Sequence, residues 1–144
     1  MKRSFIFLLF SILLVACSSN INEGHKVPGG KVIIDSNEYS MNYYQYEWKE
    51  DNIEFNARQT NTIEEQAKGF DNISVAKNKE VEFNFEKAPL LVSVLQQDNA
   101  NNSKTIEIKN QKMTLPSDEG YYIYEVKAEW EEGTVTYLFD VEVK

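Results

Sequence analysis

The chain has 144 residues, 42% of them hydrophobic and 12% aromatic, which is enough for one domain with a hydrophobic core and excludes wholesale disorder. Its formal net charge is −8; because Lys2 and Arg3 precede the single cysteine, the part from Cys17 onward keeps 13 of the 15 basic residues against all 23 acidic ones, a net charge of −10. Such a surface repels nucleic acid, and no stripe of Lys or Arg offsets it, so no nucleic-acid partner is expected.

The start of the chain has the pattern of an export signal. Lys2 and Arg3 are followed by an apolar run over residues 5–16 that only Ser11 interrupts. Twelve helical residues span about 18 Å, which is too short for a hydrocarbon core of about 30 Å. The run is therefore predicted to be the helix of a signal peptide and not a permanent membrane span.

The apolar run ends in Leu14-Val15-Ala16-Cys17, an aliphatic residue and two small residues before a cysteine. This ending resembles the lipobox of bacterial lipoproteins. The resemblance implies cleavage between Ala16 and Cys17 and a diacylglyceryl group, with acyl chains such as palmitate, on the Cys17 thiol. Two acyl chains on one residue give stable membrane attachment. We therefore expect a lipid-anchored protein on the outer, extracytoplasmic face of the cell membrane.

The sequence divides into three parts. A signal peptide over 1–16 is followed by the lipidated cysteine and a polar tether over 17–30, which holds three of the six glycines. A flexible segment of this length reaches about 20 Å. The remaining residues, 31–144, form the predicted domain. It contains no cysteine, so no disulfide can stabilise it.

From Lys31 onward, apolar and polar residues alternate with period two, which is typical of strands with one buried face. Upstream strands are predicted, in chain order, at 31–35, 39–41, 44–48, 80–86, 90–95, 106–108 and 113–115. Turns are predicted near residues 36–38 and at Asn110-Gln111. The stretch 62–68 is the one predicted helix, with Thr62 three residues before Glu65 as in a capping box.

The clearest alternation lies at the C-terminus. One predicted face holds Tyr122, Tyr124, Val126, Ala128 and Trp130, then Val135, Tyr137, Phe139, Val141 and Val143 after a turn at 131–133. The residues predicted to face solvent include Thr134, Thr136, Asp140 and Glu142. This pattern predicts a long antiparallel hairpin, which needs the upstream strands to cover its apolar face.

About seven to nine strands predict an all-β fold, an immunoglobulin-like antiparallel β-sandwich. Asp118, Gly120 and Tyr122 form a D-x-G-x-Y motif, which resembles the approach to the next-to-last strand of immunoglobulin-like domains. The resemblance implies that the Tyr122 hydroxyl bonds back to the preceding corner. Tyr124 stands where antibody domains carry a disulfide cysteine, so the domain is not of the antibody type.

The C-terminal strands also resemble small extracytoplasmic domains found in lipoproteins and membrane proteins of Bacillus-type bacteria. The residues that carry this resemblance are Gly120, Tyr122, Val126, Ala128, Trp130, Gly133, Tyr137, Phe139, Val141 and Val143, with Tyr46 and Trp48 upstream. The resemblance implies fold and location and no activity.

Residues 31–144 contain neither His nor Cys, so nucleophilic catalysis of the common kinds and a zinc site are not expected. Carboxylate pairs could be drawn from Glu47, Glu50, Asp51, Glu54, Glu129, Glu131 and Glu132, but most of these lie on predicted outer faces or in turns. Calcium could use Asp98, Asn99, Asn101, Asn102 and Ser103, or the acids near Asp118. Neither segment has the spacing of a calcium loop, so we expect no metal, no cofactor and no enzymatic activity.

The aromatic stretch 39–48 suggests a surface for interaction. Alternation assigns Tyr44, Tyr46 and Trp48 to the core and Tyr43 to the opposite, exposed face. The leading hypothesis is a non-enzymatic binding module for another envelope protein, a peptide or a cell-wall polymer. The alternatives are a ligand-binding or accessory lipoprotein of a membrane complex, and a carboxylate-based wall hydrolase.

Overall fold

A computed structural model describes residues 27–97 and 102–144. The predictions for the signal peptide 1–16, for Cys17 and for the calcium candidates Asp98, Asn99 and Asn101 lie outside the described residues.

The described residues form eleven strands and one short helix. In chain order they are β1 (Gly30–Ile34), β2 (Asn37–Ser40), β3 (Asn42–Glu50), β4 (Ile53–Arg58), α1 (Ile63–Ala67), β5 (Ser74–Val75), β6 (Glu80–Phe85), β7 (Leu91–Gln97), β8 (Ser103–Ile106), β9 (Lys112–Thr114), β10 (Gly120–Trp130) and β11 (Gly133–Val143). The predicted range of seven to nine strands was too low, because β4 carries few large apolar residues and β5 has only two residues. Thr62 and Glu65 form the predicted capping box, which confirms the start of α1.

The strands form two sheets that pack as a sandwich. The smaller sheet has the order β2-β1-β6-β9, and the larger has the order β4-β3-β11-β10-β7-β8. The short strand β5 pairs in parallel with the end of β11, and the other pairings are antiparallel. The predicted all-β, immunoglobulin-like antiparallel sandwich is confirmed.

The hairpin of β10 and β11 is continuous over eleven residue pairs, from Gly120 opposite Val143 to Trp130 opposite Gly133. Its turn has only two residues, 131 and 132, and Gly133 begins β11 directly after it. Gly133 has a φ of 154°, and a Cβ atom placed there would lie 2.0 Å from the carbonyl oxygen of Glu47. Only glycine allows β3 to approach β11 so closely at this point.

The corner before β10 has the predicted geometry. The Tyr122 hydroxyl donates a hydrogen bond to the backbone carbonyl of Asp118 at 3.0 Å. The D-x-G-x-Y motif therefore acts as the resemblance implied, and this prediction is confirmed.

The hydrophobic core lies between the two sheets and is rich in aromatic rings. Phe83 of the smaller sheet meets Phe139 of the larger edge-on at a centroid distance of 6.1 Å, and Phe139 stacks on Tyr124 at 4.9 Å. Trp48 and Trp130 meet edge-on at 5.5 Å. The contact of Phe83 with Phe139 joins the two sheets, and the other two contacts lie within the larger sheet. Aromatic pairs add about 1 kcal/mol each beyond the area that they bury.

The larger sheet is buried on part of its other face as well, which alternation did not predict. Thr136 and Asp140 were expected to face solvent, yet they are 2% and 3% exposed, and Leu138 between them is 1% exposed. Two further apolar residues, Ala67 of α1 and Leu138 of β11, are buried outside the main core cluster. The helix α1 packs against β11. The expectation for Thr136 and Asp140 was wrong because this segment covers them.

The predicted tether also ends too late in the sequence. Val27 is 6% exposed and belongs to the core cluster, and β1 begins at Gly30. Residues 27–30, which we name the lead-in segment, are therefore part of the domain and not of a tether. The glycines at 29 and 30 suggested flexibility, but both pack closely.

Candidate interaction surface

Tyr43 lies on the sandwich side of β3 and not on the opposite face. Gln45 pairs with Thr136 and Tyr43 pairs with Tyr137, so β3 holds one extra residue, a β-bulge, at this point. A bulge resets the alternation of side chains. The predicted inward face is wrong for Tyr44, which is half-buried outside the main core cluster, whereas Tyr46 packs against that cluster.

The Tyr43 side chain is nevertheless 39% exposed. Its ring lies 5.5 Å from the ring of Tyr137, and its hydroxyl donates to the carbonyl oxygen of Val27 at 3.4 Å. Burial, followed by the charge of Glu86, raises the pKa of Tyr43 above its usual value. Tyr43 is thus an exposed aromatic side chain with a defined position.

Tyr137 fixes the lead-in segment from within the core. Its fully buried hydroxyl donates to the carbonyl oxygen of Pro28 at 2.6 Å. Burial raises the pKa of this hydroxyl, with smaller contributions from Tyr43 and Glu86. The hydroxyl therefore stays protonated and remains a donor.

Two further contacts complete this attachment. The backbone N–H of Gly29 donates to Oε2 of Glu86 at 2.9 Å, and the N–H of Glu86 donates to the carbonyl of Gly29 at 3.0 Å. At Gly30 a Cβ atom would lie 2.6 Å from Cε of Met41, so the backbone is packed directly against that side chain. The lead-in segment is therefore fixed by hydrogen bonds to Tyr137 and Glu86 and by packing against Met41.

A groove of about 330 Å³ opens beside this attachment, and we name it the Tyr43 groove. It is lined by Gly29, Gly30, Lys31, Ser40, Met41, Tyr43, Asn84, Phe85 and Glu86. Met41, Phe85 and the Tyr43 ring are its apolar part, and Lys31 is paired with Glu38 at 2.8 Å. The groove combines a fixed aromatic wall with polar groups, a composition common in binding sites.

A second hollow, of about 380 Å³, lies where β11 changes partner. Leu138 pairs with Asn42 of β3 and Glu142 pairs with Ser74 of β5, so Asp140 falls between the two pairings. Its carboxylate interacts with the Tyr121 hydroxyl and with its own backbone N–H, and both interactions act to lower its pKa. Burial raises the pKa of Asp140 above its ordinary value. Nothing in the sequence pattern distinguished Asp140 from an outward-facing acid.

Several of the candidate carboxylates lie in exposed ion pairs. Glu54 pairs with Lys49 at 3.1 Å, Glu129 pairs with Lys127 at 3.0 Å, and Glu132 pairs with Lys87. Bonding to Lys87 lowers the pKa of Glu132. Within residues 27–97 and 102–144, no three acidic, His or Cys side chains are placed to hold a metal ion, and no helix there could cross a membrane.

Two leucines at the start of β7 are exposed, although the run 90–95 reads as a central strand. Leu90 is 71% exposed and Leu91 is 56% exposed. The backbone N–H of Leu90 donates to the carbonyl of Glu129 at 2.7 Å, which continues the pairing with β10. Only the later part of the predicted strand is inside the sandwich.

The chain matches no protein-family model, no curated protein and no solved structure. The resemblances to lipoproteins and to the Bacillus-type domains stay predictions.

The buried Asp140 predicts a pH dependence of stability. Because its folded pKa is raised, the folded state holds this proton to higher pH than the unfolded chain does. As pH rises from about the ordinary aspartate pKa through the raised one, the unfolded chain loses the proton first and the free energy of unfolding falls. We expect urea titrations at a series of pH values to show this decrease in the wild type relative to Asp140→Asn.

The Asp118→Asn variant is the control: it removes one exposed carboxyl and keeps Asp140, so the decrease caused by Asp140 is expected to remain. Parallel curves for the wild type and Asp140→Asn, or a difference of opposite slope, would contradict the assignment of Asp140 as a carboxyl penalised by burial.

Proposed function

We propose that this protein is a lipid-anchored, extracytoplasmic, non-enzymatic module that binds another envelope protein or a cell-wall polymer through the Tyr43 groove. The pattern Leu14-Val15-Ala16-Cys17 supports the anchor, because the cysteine follows a signal-like apolar run directly. Val27, ten residues after Cys17, already belongs to the core of the domain. Even a fully extended chain of ten residues spans only about 35 Å, so the groove lies within reach of the membrane surface.

The observation that carries the binding role is the position of Tyr43. Its ring is exposed, yet Tyr137 and the Val27 carbonyl hold it over the groove. A side chain that is already ordered loses little conformational entropy on binding, and for this reason tyrosines are common at contact surfaces. The exposed ion pairs of Glu54, Glu129 and Glu132 support this role over that of a carboxylate hydrolase.

The anchor is tested by acyl labelling in bacterial cells. The full-length wild type is expected to incorporate labelled palmitate and to remain with the membrane fraction after washing with high salt. Cys17→Ser is expected to incorporate no label, because it lacks the thiol, whereas the neighbouring Ser18→Ala variant behaves as the wild type. Equal labelling of Cys17→Ser, or an unlabelled wild type outside the membrane fraction, would count against the anchor.

The groove is tested with Asn84→Arg, which adds a long side chain to its lining without altering the core. Crosslinking in intact membranes and co-sedimentation with purified cell wall measure the two classes of partner. We expect at least one of these readouts to fall about tenfold, equivalent to about 1.4 kcal/mol. Thr114→Arg adds the same side chain elsewhere on the smaller sheet and is expected to leave both readouts unchanged. If both variants reduce binding equally, or neither does, the groove is not the site.

A further inference from the structure

The strand β4 forms one edge of the larger sheet, with β3 as its only neighbour within the described residues. Five of its six residues are exposed. The N–H of Gln59, just after β4, donates to the carbonyl of Tyr44 at 2.8 Å, which shows that odd-numbered residues direct their backbone groups toward β3. By the alternation of an antiparallel pair, Glu54, Asn56 and Arg58 direct theirs toward the open edge.

The side chains of these same three residues share one face of the sheet. Phe55 lies opposite Trp48, which is buried, so Phe55 faces the sandwich and Glu54, Asn56 and Arg58 face away from it. Glu54 carries a negative charge and Arg58 a positive one, with Asn56 midway between them. Arg58 takes part in none of the ion pairs found among the described residues.

We propose that two copies of this chain pair through β4, antiparallel, about a twofold axis at Asn56. In this register Asn56 lies opposite Asn56 of the second copy, and Glu54 lies opposite Arg58 of the second copy on both sides of the axis. Each of these pairs directs backbone N–H and C=O groups toward the other copy, so each forms the hydrogen-bonded type of antiparallel pair. The result is one larger sheet that continues across both molecules.

Charge complementarity selects this register over its neighbours. An axis at Phe55 would place Glu54 opposite Asn56, and an axis at Glu54 would place two glutamates opposite each other, which is destabilising. With the axis at Asn56, a row of alternating charge crosses the joined sheet, from the exposed Lys49 through its partner Glu54 to Arg58 of the second copy. On the other face, the large Phe55 lies opposite the small Ala57.

The other described edges lack this self-complementarity. The edge strand β5 has only two residues, both uncharged. The strands β2, β8 and β9 have four, four and three residues, and each carries charge of one sign only, from Glu38, Lys104 and Lys112 respectively. When two copies of such an edge meet, either like charges lie opposite each other or no charges are paired. The edge of β4 is therefore the one that a second copy fits.

This pairing goes beyond the proposed binding role and does not require it. The Tyr43 groove is lined by residues of β1, β2, β3 and β6 and by none of β4, so a dimer leaves it open. If the chain is anchored, confinement to the membrane raises the effective concentration of the second copy and strengthens a six-residue contact that would be weak in dilute solution.

Site-specific crosslinking of the full-length chain in membranes tests the register. A hydrogen-bonded antiparallel pair places opposite Cα atoms about 5.5 Å apart. In Asn56→Cys the two introduced thiols are therefore expected to react with a short bismaleimide and give a covalent dimer. In the control Glu54→Cys the two thiols are offset by four residues, about 13 Å along the strands, and should not crosslink. The wild type, which has only Cys17, sets the background.

Charge reversal tests complementarity in the Asn56→Cys background. Glu54→Arg and Arg58→Glu are each expected to lower the crosslinked fraction at least fivefold, because each places like charges opposite each other. The double reversal restores opposite charges and is expected to recover most of the dimer. Thermal unfolding of each variant separates a loss of pairing from a loss of folding.

The proposal is overturned if Asn56→Cys gives no dimer above the wild-type background, if Glu54→Cys crosslinks equally well, or if the folded double reversal fails to recover the dimer. These outcomes are independent of the Asn84→Arg readouts, so failure of the pairing and failure of the groove can be told apart.

Discussion

The structure depends most on the pairing of β11 with neighbours on both of its edges. One edge is paired with β10 over eleven residues, and the other with β3 and then with β5. Its side chains are buried on both faces, because Val135, Tyr137 and Phe139 enter the sandwich while Leu138 lies beneath the segment that contains α1. A strand that is paired on both edges and covered on both faces is buried from solvent only when the elements around it have folded. The two sheets and the lead-in segment are all positioned relative to it.

The Tyr43 groove and the hollow at Asp140 both lie beside irregularities on the same edge of β11. The bulge of β3 opposite Thr136 and Tyr137 turns Tyr43 toward the sandwich and so gives the Tyr43 groove its aromatic wall. Where β11 changes partner from β3 to β5, Asp140 is buried beside Tyr121. Interruptions of regular pairing on this edge thus coincide with both of these hollows.

The sequence predicted the parts of the fold that follow local rules. Strict alternation found β10 and β11, the D-x-G-x-Y motif found the bond of Tyr122, and Thr62 with Glu65 marked the start of α1. It did not predict the bulge at Tyr43, because an extra residue in one strand depends on its partner and leaves no mark in local alternation. The burial of Asp140 could not be predicted from local alternation either, because the residues that bury it lie about seventy positions earlier in the chain. For the candidate site, exposure of Tyr43 was predicted, but its face and its contacts with Tyr137 and the lead-in segment required the structure.

Native-state hydrogen exchange of the backbone amides measures the free energy of opening of each strand separately, and so it tests the central position of β11. We predict that the amides of Tyr124, Tyr137 and Phe139 exchange only through global unfolding, with a free energy equal to that measured in urea. The open-edge amides of Glu54 and Asn56 should exchange much faster in dilute protein. If the amides of β11 exchanged faster than that of Val32 in β1, the central role of β11 would be contradicted.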